Sequence, residues 1–257
     1  MRAVIVGVGS ALSDRYFGAS AVVFAPAGHL LIDCPDSIFH ALRNAAHASA
    51  VALDPLEVHD ILLTHLHGDH ANGLEAMGWK HWLASQGDGA ANAKWSRPRI
   101  HTIAPIANRL WERLAPSMDQ GGTASLADYF EICPLVPGRP VTVCGATVLC
   151  RETDHGVPCI GFRIRIGDTE LGWSGDTRFD RDHIDWLAHA DLVVHETTES
   201  PVHTPIAALN ALPLELRRRM RLIHMQDQFD PAATDIACLT EGQLLEVEPA
   251  ARSAIGR

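Results

Sequence analysis

The pattern of apolar and polar residues predicts β-strands that alternate with amphipathic helices. Short runs rich in Val, Ile and Leu and bounded by turn residues are typical of buried strands, and apolar residues spaced three and four positions apart predict helices. The predicted strand segments are RAVIVGVG, SAVVFAP, HLLIDC, DILLTH, RPRIHTIAP, DLVVHE and RLIHM, with hairpins in PVTVCGATVLCRETDH and PCIGFRIRIGDTELGWSGDT. The predicted helical segments are DSIFHALRNAAHAS, ANGLEAMGWKHWLA, IANRLWERLAP, DRDHIDWLAHA and TPIAALNALPLELRRRM.

Strands come first in each half of the chain, and helices are interspersed among them. This order predicts an α/β fold in which two sheets pack face to face with helices outside, as one domain over residues 1–257. Residues 84–97 are polar and rich in Gly, Ala and Asn, which predicts a surface loop. We expect the wider segment 84–132 to shape a pocket or a subunit contact. The tryptophans in and before it are expected in a core or interface rather than under a base: Trp79, Trp82, Trp95 and Trp111.

Composition narrows the classes of function. Lys and Arg number 21 against 31 Asp and Glu, a formal net charge of −10. Tight binding to long nucleic acids is therefore not expected, since phosphate contacts need clustered basic residues. No apolar run approaches membrane-spanning length, and the N-terminal run is too short for a signal peptide, so a cytoplasmic protein is expected. The six cysteines contain no CxxC pair and are expected to be reduced thiols.

The segment THLHGDH, residues 64–70, directly follows the predicted strand DILLT. Within six positions it holds His65, His67, Asp69 and His70, all of which are side chains that ligate metals. Four such groups so close together, just after a buried strand, are hard to explain by packing. The segment therefore indicates a metal site.

Four further candidates lie at the ends of other predicted strands. His155 follows TVLCRETD, Asp176 follows ELGWSG, His195 ends DLVV, and His224 ends RLI. Chemistry is often carried by the loops at strand ends, because a rigid scaffold positions them. We expect several of these ends to converge along one edge of the sheets.

Without His195, the candidates are five imidazoles and two carboxylates, enough for two divalent cations. Both ligand types suit Zn²⁺, with Mn²⁺ or Fe²⁺ as alternatives. The division that we favour is His65, His67 and His155 for one cation, Asp69, His70 and His224 for the other, and Asp176 as the bridge. A water held between two cations loses a proton more readily than bulk water and can attack near neutral pH.

The quoted segments resemble those of a known superfamily. THLHGDH resembles the HxHxDH motif of the metallo-β-lactamase superfamily, and VGVGSA with LLIDCPDSIFHAL resembles its opening strands. TDHGVPCIGFRI, WSGDT and LVVHETTE resemble segments of the ribonuclease Z branch that read GYRI after a histidine, SGDT and HEAT. The resemblance covers nearly the whole chain in order. It implies an αββα sandwich of two mixed sheets with a dinuclear metal site.

The resemblance also implies catalytic roles. In the ribonuclease Z branch, the HEAT histidine is thought to help protonate the leaving oxygen, which implies that role for His195, oriented by Glu196. Asp69 or Asp176 would steer the nucleophile as well as ligate. The alternative for His195 is a structural histidine beside the metal ligands.

Two other residues are candidates for supporting roles. His203 precedes Thr204-Pro205, a good helix start, and is expected either near the substrate phosphate or as part of the helix cap. Asp33 is expected to fix the imidazole of a metal ligand from behind.

Departures from the ribonuclease Z branch bear on the substrate. Only a tight hairpin separates GFRI (161–164) from Ser174, which leaves no room for the long arm of enzymes that mature tRNA. GLE after the histidine block, the DYF stretch and a final H…D resemble instead compact hydrolases of small phosphodiesters. That group includes 3′,5′-cyclic-nucleotide phosphodiesterases and anti-Pycsar enzymes, which are commonly dimers. We therefore expect a homodimeric phosphodiesterase for a small, cyclic nucleotide, acting through a hydroxide that bridges two metals.

Three alternatives remain open. The first is a tRNA 3′-processing endonuclease of the ribonuclease Z type. The second is a lactone or thioester hydrolase, which the same fold and metals support. The third is a protein that binds a metal or a nucleotide without catalysis.

Overall fold

The computed structural model describes residues 1–86 and 97–249, and the strands of these residues form two seven-stranded sheets. The strands are β1 Arg2–Gly7, β2 Ser20–Ala25, β3 Gly28–Ile32, β4 Val58–Leu62, β5 Arg99–Ile103, β6 Glu131–Leu135, β7 Val141–Val143, β8 Ala146–Glu152, β9 Ile160–Ile166, β10 Thr169–Trp173, β11 Leu192–Glu196, β12 Met220–Ile223, β13 Ala237–Cys238 and β14 Leu244–Glu246. The α-helices are α1 Ile38–Ser49, α2 Gly68–Ala71, α3 Gly73–Gln86, α4 Ala104–Met118, α5 Leu126–Tyr129, α6 Arg181–Leu187, α7 Ile206–Asn210 and α8 Leu214–Arg217.

Both sheets are mixed. The first has the order β14-β1-β2-β3-β4-β5-β6, antiparallel from β14 to β3 and parallel from β3 to β6. The second has the order β13-β12-β11-β10-β9-β8-β7, parallel from β13 to β10 and antiparallel from β10 to β7. The predicted fold class, two mixed sheets flanked by helices, is confirmed.

The central strands of the first sheet are buried on both faces. Consecutive residues in β3 and β4, such as Leu30, Leu31, Ile61 and Leu62, are each 0% exposed. Successive side chains of a strand point to opposite faces, so both faces of these strands must be covered. One buried cluster contains apolar residues of both sheets and of the helices packed on them, α1 among them. The core therefore fixes the two sheets, and their ends, against each other.

Several local predictions need correction. The segment ANGLEAMGWKHWLA was open to one helix or to two short ones broken near Gly78, and α3 is one continuous helix. A Cβ at Gly78 would lie 2.9 Å from the ring of Phe130, so the glycine permits close packing. The sequence offers Asp36 or Ser37 as the cap of α1; Ser37 stands at the N-cap position, but its side chain makes no capping hydrogen bond. The segment LADYFEICPL, whose pattern favours neither helix nor strand, divides into α5 and β6. The strands β13 and β14 were not predicted, because two or three residues carry too little periodicity.

The predicted loop 84–97 lies mostly outside the described residues, as does Trp95. Residues 84–86 belong to α3, and the later part of segment 84–132 contains β5, α4, α5 and the start of β6. Trp79, Trp82 and Trp111 surround the buried ring of Tyr129, as expected for core tryptophans. The role of the segment in a subunit contact stays a prediction, as does a single domain over the whole chain.

In residues 1–86 and 97–249, we find no helix with both the length and the apolarity needed to cross a bilayer. The longest of these helices, α4, has 15 residues, whereas a span needs about 20. The cytoplasmic location stays a prediction.

Gly161 in β9 lies against the backbone of Trp173 and Ser174, just before the candidate ligand Asp176. A Cβ at this position would be 2.5 Å from the carbonyl oxygen of Ser174 and 2.8 Å from the ring of His183. We expect Gly161→Ala to lower the free energy of unfolding, measured by urea denaturation, by about 1–3 kcal/mol, the usual cost of overpacking. The matched control is Gly156→Ala, where the nearest atom would be 3.9 Å away, and its expected change is within about 0.5 kcal/mol. Equal losses in both variants would contradict the packing argument.

Candidate metal centre

The ends of strands from both sheets meet at one edge of the sandwich. In the second sheet, β8 and β10 run in the same direction, because each is antiparallel to β9, and β11 and β12 are parallel to β10. Their C-terminal ends therefore share one edge, which carries His155, Asp176 and His224. The loop after β4 of the first sheet brings the 64–70 segment to the same place, with ring centroids of His65 and His155 5.1 Å apart.

All seven predicted metal ligands are brought together at this edge. The first group of donor atoms within 4.8 Å of one another comes from His65, His67, His155 and Asp176. The second group comes from Asp69, His70 and His224, and a third from Asp176, His203 and His224. Hereafter the first and second of these are called donor group one and donor group two. The arrangement matches the division predicted from the sequence, with Asp176 adjoining both groups.

Asp176 is the centre of the cluster and is 2% exposed. Its Oδ2 atom lies 3.5 Å from Nε2 of His65 and 3.5 Å from Nε2 of His224, and its Oδ1 atom lies 3.5 Å from Nε2 of His70. Burial alone would raise the pKa of Asp176, but the imidazoles of His224, His70 and His65 hold it well below its ordinary value. A carboxylate that stays ionised although it is buried is suited to lie between two cations.

The buried imidazole nitrogens fit a metal. Nε2 of His65 and Nε2 of His70 are buried and have no hydrogen-bond partner among the described residues. An unpaired buried polar atom costs about 1–3 kcal/mol, so a native site is expected to pair it. Ligand atoms about 2 Å from a tetrahedral Zn²⁺ lie about 3.3 Å from each other. The 3.5 Å between these nitrogens and Asp176 is too long for a strong hydrogen bond and close to that separation.

Residues behind the ligands hold the rings in place. Asp33 accepts hydrogen bonds from the backbone N–H and the hydroxyl of Thr64, and its Oδ2 lies 2.8 Å from Nδ1 of His70. Asp33 has φ 57°, a left-handed conformation that costs free energy in a non-glycine residue and is often found at functional sites. With Nδ1 held, the Nε2 atom of His70 is aimed at the cluster. The predicted role of Asp33 agrees with this geometry.

Thr198 supports His224 in a way that the sequence did not indicate. Its hydroxyl donates to the carbonyl oxygen of His224 at 2.6 Å and lies 3.0 Å from Nδ1 of the same residue. His224 also has a left-handed backbone, with φ 61°. The only sequence signal was a threonine in HETTE, which has no ligand chemistry of its own. The ring of His155 is also held by a neighbour, since its Nδ1 atom lies 3.1 Å from the carbonyl oxygen of Val202.

Burial sets the charge state of the imidazoles in donor group one. It lowers the pKa of His65 well below its ordinary value and lowers those of His67 and His155. These rings are therefore neutral near pH 7, which is the form that ligates a metal. His70 differs: although burial opposes it, the carboxylates of Asp176, Asp33 and Asp69 raise its pKa.

The geometry does not support the predicted role of His195 as a proton donor. In β11, Val193 pairs with Gly172 of β10, which lies against Leu187 of α6, so His195, two residues further on, lies on that same outer face. There, burial and then the neighbouring His195 lower the pKa of His183 in α6 to about 4. His195 is 1% exposed, and its Nδ1 atom donates to the backbone carbonyl of Glu196 at 2.7 Å. Side chains alternate along a strand, so Glu196 points inward and His195 outward.

His203, rather than His195, lies beside the proposed metal ligands. Its ring centroid lies 5.2 Å from that of His155 and 5.0 Å from that of His224. Its Nδ1 atom lies 3.0 Å from Oε1 of Glu196, which also accepts from the backbone N–H groups of Thr177 and Thr204. Glu196, predicted to orient His195, therefore contacts the ring of His203 instead. Burial, and then the nearby carboxylate of Asp176, raise the pKa of Glu196.

Residues 1–243 match the family described as Anti-Pycsar protein Apyc1. The chain belongs to this family. The Apyc1 of Paenibacillus sp. (strain J14) is 27% identical over 239 residues, which cover 90% of this chain and 91% of that protein. The resemblance predicted from the sequence motifs is thus confirmed at the level of the Apyc1 family.

Two further proteins are similar to this chain. The cAMP/cGMP-dependent 3′,5′-cAMP/cGMP phosphodiesterase B of Dictyostelium discoideum is 25% identical over 191 residues, 67% of this chain but 16% of that protein. The crystal structure of the metallo-β-lactamase fold protein YhfI from Bacillus subtilis is similar with a TM-score of 0.70 and 13% identity, over 95% of this chain and 98% of that one. At that identity, the likeness shows the fold alone.

Proposed function

We propose that this chain hydrolyses 3′,5′-cyclic nucleotides as a metal-dependent phosphodiesterase. The observation that carries the proposal is the pair of donor groups that adjoin one buried carboxylate, Asp176, at distances that fit a cation on each side. Membership of the Apyc1 family and similarity to a 3′,5′-cAMP/cGMP phosphodiesterase support the substrate class. The net charge of −10 agrees with a small substrate rather than a long nucleic acid.

Two divalent cations would be held by the two donor groups, with Asp176 between them. The mixture of imidazole and carboxylate donors favours Zn²⁺, with Mn²⁺ or Fe²⁺ as alternatives. Bound cations would supply a water of lowered pKa and neutralise charge on the phosphate. The residues proposed to hold them are His65, His67 and His155 on one side and Asp69, His70 and His224 on the other.

The chain's own contribution to bond cleavage is a placed proton donor. Cleavage of a cyclic phosphodiester breaks a P–O bond, and the departing sugar oxygen needs a proton. His203 lies beside both donor groups, and Glu196 holds its Nδ1 atom at 3.0 Å. Because Nδ1 is fixed, Nε2 is the atom that would donate to the sugar oxygen. Burial would raise the pKa of Asp69, but His70 and His224 lower it, so this carboxylate stays ionised. We propose that Asp69 steers the attacking water.

The alternative of tRNA processing has little support in this chain. The strands β9 and β10 are joined directly, since Ile166 pairs with Thr169 and only two residues separate them. The long arm that the ribonuclease Z resemblance would require between these strands is therefore absent from the hairpin. Homodimer formation stays a proposal, which analytical ultracentrifugation would measure directly.

Metal analysis joined to a substrate panel tests the proposed function. We expect purified protein to contain about two divalent ions per chain by mass spectrometry and to hydrolyse cyclic mononucleotides. Chelation should abolish turnover, and Zn²⁺ or Mn²⁺ should restore it. A metal-loaded sample that hydrolyses no phosphodiester, but does hydrolyse a lactone or a thioester, would replace the proposal with that alternative. A sample that binds no metal would favour the non-catalytic alternative.

A further inference from the structure

A cavity of about 380 Å³ opens next to the metal centre on the side of His67. Leu66 and His67, from the loop after β4, form one wall. Val157 and Pro158 form another, in the loop that begins with His155. The two segments that carry imidazoles of donor group one therefore also line the cavity. A molecule held there is in direct continuity with the metal centre.

One face of α4 forms the remaining wall. Pro105, Ile106, Arg109 and Arg113 line the cavity at the spacing of residues that share a helix face. Ile106 is buried, whereas the side chain of Arg109 is 63% exposed and lies at the rim. The guanidinium of Arg113 donates to the side-chain oxygen of Asn72, so its position is fixed. Glu112 also lines the cavity, and its carboxylate lies 3.9 Å from the guanidinium of Arg109. The cavity thus has an apolar interior and a charged rim that holds two guanidiniums and one carboxylate.

We propose that this cavity binds the base of the cyclic nucleotide, an inference that rests on the proposed function. A nucleobase has flat faces that pack on aliphatic side chains, here Leu66, Ile106 and Val157, and edges that carry hydrogen-bond acceptors beside donors. A guanidinium suits those acceptors, because it presents several donors in one plane. The volume lies within the usual range for small-molecule sites. A base in the cavity places its attached phosphate towards His67 and donor group one.

A second cavity, of about 280 Å³, lies on the opposite side of the cluster. It is bounded by His203 and His224 and by polar residues such as Ser200 and Gln226, and Ala11 lies at its rim. Hydroxyl and amide groups suit the hydroxyls of a sugar better than the faces of a base. We therefore assign the base to the first cavity. Binding of the base in the second cavity is the competing outcome of the test.

The test fills each cavity and compares substrates with and without a base. Val157→Trp should raise the KM for cyclic AMP by about tenfold or more, a loss typical of a blocked apolar subsite. The KM for 1-deoxyribose 3′,5′-cyclic phosphate, which has no base, should change less than about twofold. Val136→Trp, at an exposed valine far along the chain from these loops, is the matched control and should change neither.

A second readout depends neither on turnover nor on the folding of the tryptophan variant. Binding of adenosine, which has no phosphodiester to cleave, should weaken about threefold in Arg109→Ala when it is measured by calorimetry on the metal-loaded protein. Arg139→Ala, which removes an exposed arginine from the turn before β7, is the control and should bind as the wild type does. Urea denaturation of all variants should show unchanged midpoints.

The outcomes separate this inference from the proposed function. If the wild-type, metal-loaded protein hydrolyses no cyclic nucleotide, the proposed function fails and this inference fails with it. If the wild type hydrolyses cyclic AMP but Val157→Trp keeps its KM, only the assignment of the base is overturned. The same holds if Val157→Trp raises KM equally for both substrates, or if Ala11→Trp selectively raises the KM for cyclic AMP instead.

Discussion

Asp176→Asn is expected to lower kcat/KM for cyclic AMP by about a thousandfold, since charge stabilisation at a metal site is worth several kcal/mol. Asp176 is the carboxylate that adjoins both donor groups, and it is almost fully buried. Asparagine keeps the shape of the side chain but loses its negative charge and one acceptor oxygen. The remaining imidazoles would then surround two cations without the charge placed between them.

Metal content and steady-state kinetics measure this effect together. Asp176→Asn should contain less than the wild-type amount of divalent ion, and excess Zn²⁺ or Mn²⁺ should restore only part of the activity. Asp168→Asn, in the exposed turn between β9 and β10, is the matched control and should keep both metal and activity. Asp176→Asn with full metal content and wild-type kcat/KM would refute the central position given to this residue.

His203→Ala should lower kcat for cyclic AMP by about 10²–10⁴-fold, the usual contribution of a placed general acid. The effect should depend on the leaving group. Bis-(p-nitrophenyl) phosphate releases a stable anion that needs no proton, so its hydrolysis should fall far less. Glu196→Gln should lower kcat less than His203→Ala, and the double variant should lose little more than His203→Ala, because both act as one unit.

His195 provides the comparison for this prediction, because the sequence favoured it for the same role. It faces away from the cluster, so His195→Gln should keep kcat within about threefold, although loss of a buried packing contact should lower the free energy of unfolding by about 1–3 kcal/mol. If His195→Gln instead lost as much kcat as His203→Ala with its stability unchanged, the assignment of the proton donor to His203 would be wrong.

The sequence could predict that the seven proposed ligands lie together, because their signals are local or lie at strand ends. The 64–70 segment carries four donors in six positions, and the strand before it was evident from its apolar run. His155, Asp176 and His224 each follow a recognisable strand, and their shared edge follows from strand direction. The resemblance to the ribonuclease Z branch added the order in which these segments occur.

The residue proposed as proton donor could not be chosen from the sequence, because the sequence does not show which face of the sheet each residue of β11 occupies. His195 and Glu196 are adjacent in β11, so one must face the metal centre and the other α6. The sequence does not say which, and the similarity of HETTE to HEAT favoured His195, which faces away from the proposed metal ligands. Support by Thr198 and the cavity beside His67 depend on contacts between distant segments, which no local pattern reveals.

The pairing of β14 with β1 joins the two extremes of the described chain. Val4 lies opposite Leu244, and the backbone of Met1 exchanges hydrogen bonds with that of Val247. During synthesis, which proceeds from the N-terminus, this side of β1 therefore lacks its neighbour until residues 244–246 have emerged from the ribosome. Unpaired strand edges promote association between chains. Nascent chains are thus open to association along β1 until β14 has been made and has paired with it.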